Sequence, residues 1–284
     1  MKTSFFTLIA LLAFAGNSIL CRLALGEENI DAASFTAIRL LSGIVALSLL
    51  LGFSTQPSQG KPSVNWVPAL MLFVYATAFS YAYLSLETGM GALILFGTVQ
   101  ISMIVVGLLR GERFNTLEWA GLILALAGFV YLMLPGSEAP NLIGFLLMLI
   151  AGAAWAGYTL AGKGAKDPLQ ETAQHFNRTL PLVVVLMVAT ISQANLTTLG
   201  IVLAVTSGAL ASGLGYAIWY AALKGLTSLQ AAVVQLLVPV IATLGGVVFA
   251  SEALSLRIVL ASLFILGGVL AVILGKQVPP NTTR

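Results

Sequence analysis

The chain has 284 residues, of which 59% are hydrophobic and only 8% charged, and its formal net charge is +3. A soluble domain carries about 25% charged residues, so this composition excludes a water-soluble fold and points to an integral membrane protein. The basic residues stand singly in loops, which argues against a nucleic-acid partner. The single cysteine, Cys21, rules out an internal disulfide or a cysteine-built metal site.

Apolar segments about 20 residues long, the length a helix needs to cross the hydrocarbon, recur along the chain. They predict ten spans, at about 4–25, 30–52, 65–86, 89–109, 115–134, 141–163, 170–191, 199–222, 227–249 and 255–274. They are continuous rather than alternating, so they read as helices and not as barrel strands. The first could pass for a secretory leader, with Lys2, an apolar run, and Ala13 and Ala15 as a cleavage pattern. Its apolar run continues to Leu25, however, and the second half has a matching segment. The longest connection, Gly52 to Ser63, is rich in Pro, Gly and Ser. A second such stretch, Pro135 to Pro140, divides the chain into 1–138 and 139–276, leaving a loose tail at 277–284.

Positive charge sets the expected orientation. With both termini cytoplasmic, Lys2, Lys61, Arg110, Arg113, Lys163, Lys166, Lys224, Lys276 and Arg284 fall inside. Only Arg22 and Arg257 then lie at outer loops, while Arg39 and Arg178 lie within spans. The expected location is a bacterial inner (cytoplasmic) membrane.

The seventh span opens with a polar stripe. Gln174, His175 and Arg178 stand at i, i+1 and i+4, on one helical face. The second span carries an earlier version of it, Asp31 to Leu40, with Arg39 placed 139 residues before Arg178. That interval recurs. Tyr81 and Tyr220, Leu84 and Leu223, and Gln100 and Pro239 are also 139 apart; Glu112 and Glu252, and Gly128 and Gly268, are 140 apart; Phe14 and Trp155, and Arg22 and Lys163, are 141 apart. Five spans per half is an odd number, so the second half must enter the membrane from the opposite side. The expected fold is therefore an all-α membrane protein of ten transmembrane helices in two inverted five-helix repeats. Many secondary transporters are built this way, with the substrate at the repeat interface.

The ten-span pattern, the Gly111-Glu-Arg after span four, the glycines of span five (Gly121, Gly128) and the related runs at 81–93 and 220–232 resemble the EamA family of the drug/metabolite transporter superfamily. The resemblance covers the whole chain and implies export of amino acids or other metabolites. It also implies a proline in span four of each half. The second half has Pro239, but the first has Gln100.

Arg39 and Arg178 are the sharpest candidate substrate-binding residues, since a guanidinium keeps its charge and offers a fork of donors to a carboxylate or phosphate. Either one also reads as a side chain snorkelling to the surface. His175, the only histidine, titrates near neutral pH and is a candidate for proton coupling; a hydrogen-bonded cavity lining is the plainer reading. No Asp or Glu falls in the middle of a span, which argues against a carboxylate relay. Asn17, Gln100 and Gln235 divide between cavity lining and interhelical hydrogen bonding. Tyr83 recurs in step with Tyr75 and Phe79. Trp155 pairs with Tyr158, and Tyr216 with Trp219 and Tyr220; these are candidates to line a pocket for an amphipath. The small residues of span eight, Ser207 and Ser212 among them, read as packing.

A near-match to a phosphate loop, Gly157 to Gly164, lacks the terminal Ser/Thr and any preceding strand. No hydrolase motif is present. An enzyme is therefore not expected, nor is a cofactor or metal. The partners expected are a small-molecule substrate and membrane lipid, and a homodimer is compatible with the sequence. The function expected is secondary transport, the export of an amino acid or related amphipathic metabolite by alternating access. The alternative is a structural or regulatory membrane subunit that moves nothing.

Overall fold

The computed structural model describes residues 2–53, 65–111, 114–136, 139–161, 167–223, 225–226 and 234–275. Among these the fold is all helical: α1 (Lys2–Leu25), α2 (Ala32–Phe53), α3 (Val67–Ala82), α4 (Thr88–Leu109), α5 (Thr116–Leu132), α6 (Leu142–Ala161) and α7 (Pro168–Thr190) come first. A rod, α8, follows in three parts: Thr198–Thr206, a π-helical stretch Ser207–Leu214, and Gly215–Leu223. The last two are α9 (Leu237–Phe249) and α10 (Leu256–Gly275). Seven of these helices are long and apolar enough to cross a membrane; α3, α5 and α9 are apolar but shorter. The predicted start of the ninth span, 227–233, lies outside the described residues, as do Lys61, Glu112, Lys163, Lys166 and the tail.

Local sequence sets the helix ends. Asn115 and Glu118 form a reciprocal capping box at the start of α5. Asp167 caps α7 with Pro168 behind it, and Thr197 caps α8. Inside α7, Pro181 cannot donate to the carbonyl one turn back; the Thr179 hydroxyl donates to the neighbouring Phe176 carbonyl, 2.7 Å, in the same turn. The two halves differ at the proline expected from the family resemblance. Pro239 has no N–H to give to residue 235, and the chain breaks its helix at Leu236. Gln100 keeps its N–H, and α4 runs through it unbroken.

Helix packing repeats under exchange of the first five helices with the last five. α3 and α4 pack on α6 as α8 and α9 pack on α1. α3 meets α7 as α8 meets α2, and the pairs α2–α7, α4–α9 and α5–α10 map onto themselves. The α5–α10 pair is the most intimate, because small residues let the backbones touch. A methyl on Gly121 would lie 2.6 Å from the Gly268 carbonyl oxygen. The outward faces of α7 and α10 are strongly apolar, with Val184, Val185, Val188 and Leu263 exposed, as lipid contact requires.

The bundle has two distinct ends. At one, the α1–α2 and α7–α8 loops are sewn together. Ile30 and Leu196 form an antiparallel bridge, the Asp31 N–H donates to the Asn195 carbonyl, and the Thr197 N–H donates to the Asn29 carbonyl. The Asp31 carboxylate accepts from the N–H groups of Ser34 and Asn195 at 2.8 and 2.9 Å. Burial pushes this carboxyl up, but those hydrogen bonds outweigh it and hold it below the usual carboxylate range. At the same end Arg22 pairs with Glu252 at 3.3 Å. Glu252 also takes the Thr88 N–H at 2.8 Å and its hydroxyl at 3.0 Å, at the first residue of α4. There the unpaired helix N–H groups favour an anion. At the other end Asn115 donates to the Gly275 carbonyl, and Arg178 donates to the Asn65 carbonyl at 2.9 Å.

Candidate functional site

Between the halves, toward the sewn end, lies a narrow pocket. It is lined from α1 by Phe14, Asn17 and Ser18, from α3 by Tyr75 and Phe79, and from α4 by Leu95 and Phe96. Trp155 of α6 and Ala211 and Tyr216 of α8 complete it. In this conformation it has room for about one water molecule.

Against its wall sits Arg39, only 2% exposed. Its guanidinium lies 5.2 Å from the Tyr75 ring centre and 5.0 Å from that of Phe79, a cation–π placement. Nη2 donates to the Tyr75 hydroxyl at 3.1 Å and Nε to the Ser212 hydroxyl at 3.3 Å. Nη1 is buried with no acceptor among the described residues. Asn17 joins the same network, donating to the Tyr75 hydroxyl at 3.4 Å while its carbonyl oxygen accepts from Ser207 at 2.6 Å. A buried polar group is tolerable only when it is partnered, so this cluster ties α1, α2, α3 and α8 into one unit.

The π-helical stretch makes that cluster reachable. Ser207 and Ser212 are five residues apart, about 140° around a regular α-helix. Pairing each residue five back instead of four brings both toward α1 and α2. Gly208 lets α2 approach: a methyl there would overlap the Arg39 carbonyl and the Ser42 hydroxyl.

Six of the predicted residues collect here. Asn17, Trp155 and Tyr216 line the pocket, and Arg39 backs it. Trp219 packs edge-on against Phe14 at 5.7 Å, and Tyr158 stacks on Trp155 at 5.4 Å. His175 is buried and meets Tyr158 edge-on at 5.6 Å, one step further out. Gln174, on the same helix, is half-buried. Tyr83 is fully buried but stands toward the Arg22–Glu252 pair, its carbonyl accepting from Arg22 and its hydroxyl donating to the Thr88 carbonyl at 3.2 Å. Gln100 is buried within α4, and Gln235 is half-buried beside the break before α9; neither lines the pocket. Arg178 is half-exposed and reaches the opposite end of the bundle.

Sequence reasoning named Tyr75 only as part of an aromatic stripe and set Ser207 and Ser212 aside as packing residues. Their polar tips turn out to hold the cluster together. An i, i+4 polar–aromatic match across α2 and α3 could have flagged Tyr75; nothing in the sequence marks the π-helical turn.

A multi-pass bundle whose two halves enclose a polar cluster in an aromatic pocket has the form of a membrane transporter, and comparison with known proteins agrees. The profile of the EamA-like transporter family matches residues 142–274. An uncharacterized protein of Pseudomonas aeruginosa is 50% identical over 94% of this chain and 93% of its own length. Two proteins described as uncharacterized transporters are more distant. One, from Archaeoglobus fulgidus, is 27% identical over 84% of this chain and 86% of its own. The other, YwfM of Bacillus subtilis, is 28% identical over 90% and 89%. One crystal structure, at 22% identity, matches 97% of this chain and 99% of its own with a TM-score of 0.66, so the fold is shared. The chain belongs to the EamA-like transporter family.

Proposed function

We propose that the chain is a secondary transporter of the bacterial inner membrane that exports a small amphipathic metabolite, an amino acid or a related compound, by alternating access. All ten helices cross the membrane in this reading, as two inverted five-helix repeats with both termini cytoplasmic. The observation that carries it is the placement of the Arg39 cluster. Its members come from both halves of the chain, and they meet beside a pocket that both halves line.

Two further features support the reading. The helix contacts survive exchange of α1–α5 for α6–α10, as a pseudo-two-fold axis demands. An odd number of helices per half makes that axis lie in the membrane plane. The Arg22–Glu252–Thr88 latch and the Ile30–Leu196 bridge close one end, the outer one in the expected orientation. In this reading the structure is an outward-closed state with an occluded pocket. Substrate binds beside Arg39, and the latch opens to release it outside.

The test is flux. Proteoliposomes loaded with a panel of labelled amino acids and organic acids should release at least one of them faster than equally loaded protein-free liposomes do, and Arg39→Ala should abolish that difference. A panel in which nothing moves returns the chain to a structural or regulatory role.

A further inference from the structure

Arg39 backs the pocket as a buried cation, and no acidic side chain among the described lining residues faces it. The chain has ten acidic side chains in all, and none falls within the middle of a helix. Glu27, Glu28 and Asp31 lie at the α1–α2 loop, Glu87 just before α4, Glu118 in the first turn of α5, and Asp167 and Glu171 at the start of α7. Glu112 and Glu138 lie outside the described residues. Glu252, the acid that bridges the halves, is already engaged by Arg22 and by the Thr88 N–H and hydroxyl. Among the described residues Arg39 is therefore a buried charge held by neutral hydroxyls and ring faces.

Its donor count is unfilled. A guanidinium carries five N–H donors. One on Nε and one on Nη2 go to Ser212 and Tyr75, while those on Nη1 meet no acceptor among the described residues. A carboxylate accepts two parallel bonds from such a fork. Acceptors for an ammonium group are few: the Ser18 hydroxyl, which lines the pocket with no partner among the described residues, and the second lone pair of the Asn17 carbonyl oxygen. The Asn17 carbonyl oxygen takes the Ser207 hydroxyl, and the Tyr75 oxygen takes both Arg39 and Asn17. The two rings best placed to face a cation, Tyr75 and Phe79, already face Arg39. What remains uncommitted, beside the Ser18 hydroxyl, is apolar surface from Phe14, Leu95, Phe96, Trp155 and Tyr216.

We propose that this pocket selects an aromatic or bulky apolar monocarboxylate, bound as an anion through Arg39, over the matching zwitterion or organic cation. The proposal rests on the transporter reading above and narrows its amphipath toward acids that lack an ammonium group. The carboxylate supplies the counter-charge that the folded chain omits. The ring or alkyl body displaces nothing polar from the aromatic walls. An added ammonium group would enter beside a fixed cation with no anion to meet it, and the neutral Ser18 and Asn17 oxygens would compensate its desolvation only in part.

The test compares three probes of one shape on the purified full-length protein: 3-phenylpropionate, phenylalanine and phenethylamine, at neutral pH. Binding is read from quenching of tryptophan fluorescence, since Trp155 lines the pocket, and from the ligand-induced shift in melting temperature. The expected order is anion first, with phenylalanine weaker by about tenfold or more and phenethylamine weakest. Arg39→Lys should keep part of the preference and Arg39→Gln should erase it. The wild-type ranking stands by itself if either variant misfolds. Phenylalanine or phenethylamine binding as tightly as the acid overturns the proposal, and so does failure of all three to bind. Flux in proteoliposomes separates the two readings. Tight binding of the acid without flux removes the transporter reading and leaves the pocket's selectivity intact. Flux that favours the amino acid keeps the transporter and removes the selectivity.

Discussion

Arg39 and Arg178 occupy matching places in the two halves, 139 residues apart, yet their surroundings have little in common. Arg39 is sealed among Tyr75, Phe79 and Ser212 near the sewn end. Arg178 lies half-exposed and points to the Asn65 carbonyl at the far end. A repeat fixes where a residue sits along its helix, but not whether the bundle is closed around it. In the proposed reading, the difference is what a pseudo-symmetric carrier shows when shut at one end only. Chemistry sharpens it: the partners of Arg39 have no counterparts around Arg178, since the position matching Tyr75 is Leu214.

The largest expected effect tests that contrast directly. Arg39→Ala should lower substrate affinity by about 30-fold or more, the scale of losing a buried charge partner, while Arg178→Ala should cost under about fivefold, as for one exposed hydrogen bond. Equal losses in flux assays on the two variants would dissolve the distinction. Next comes the latch. Glu252→Ala removes the acceptor shared by Arg22 and Thr88, and should raise the rate of Cys21 alkylation by about tenfold, given about 1.5–3 kcal/mol for a charged hydrogen bond. Cys21 is buried beside Arg22 in the intact protein, so its modification reports opening of that end. An unchanged rate would mean the ion pair holds nothing shut.

Packing at the π-helical turn ranks third. Gly208→Ala should destabilise the protein by about 1–3 kcal/mol, because the new methyl has no room against α2. Thermal melting would measure this, and the same change at Gly16, where a methyl meets nothing within 4 Å, is the control. The smallest effect belongs to Asp31. Its native carboxyl titrates below the ordinary 3.8, so it adds stability above that value and loses it as the pH falls through the lower native one. Asp31→Asn should flatten the drop in melting temperature between about pH 5 and about pH 3. A drop as steep as in the parent would show that the hydrogen bonds from Ser34 and Asn195 do not favour the charged form.

How much of this was legible in the sequence depends on the range of the interaction. Helix positions and the helical class follow from local hydropathy, and Arg39 stands out through the high cost of an intramembrane charge, though its burial does not follow from the sequence. Asn17, Trp155 and Tyr216 could be singled out because polar and aromatic residues are conspicuous in so apolar a chain. The predicted third span, 65–86, ran past the helix end at Ala82; the turn at 83–86 is as apolar as the helix before it. The latch was invisible for another reason. Arg22 and Glu252 are separated by 230 positions, and each alone looks like an ordinary loop charge. The serines of α8 pack as expected, but their hydrogen bonds to Asn17 and Arg39 depend on a helical register that no propensity encodes.

That register has a consequence for how the gene tolerates change. The turn at Ser207–Leu214 accommodates one residue more than a uniform α-helix would hold. Deleting a single residue inside it would leave Thr198–Thr206 and Gly215–Leu223 in their present orientations, whereas the same deletion elsewhere in a helix rotates everything beyond it by about 100°. Such a shortened chain should insert and assemble normally but hold only one of Ser207 and Ser212 in place. A one-codon lesion would then separate biogenesis from transport, which point substitutions in the crowded centre of the bundle cannot do cleanly.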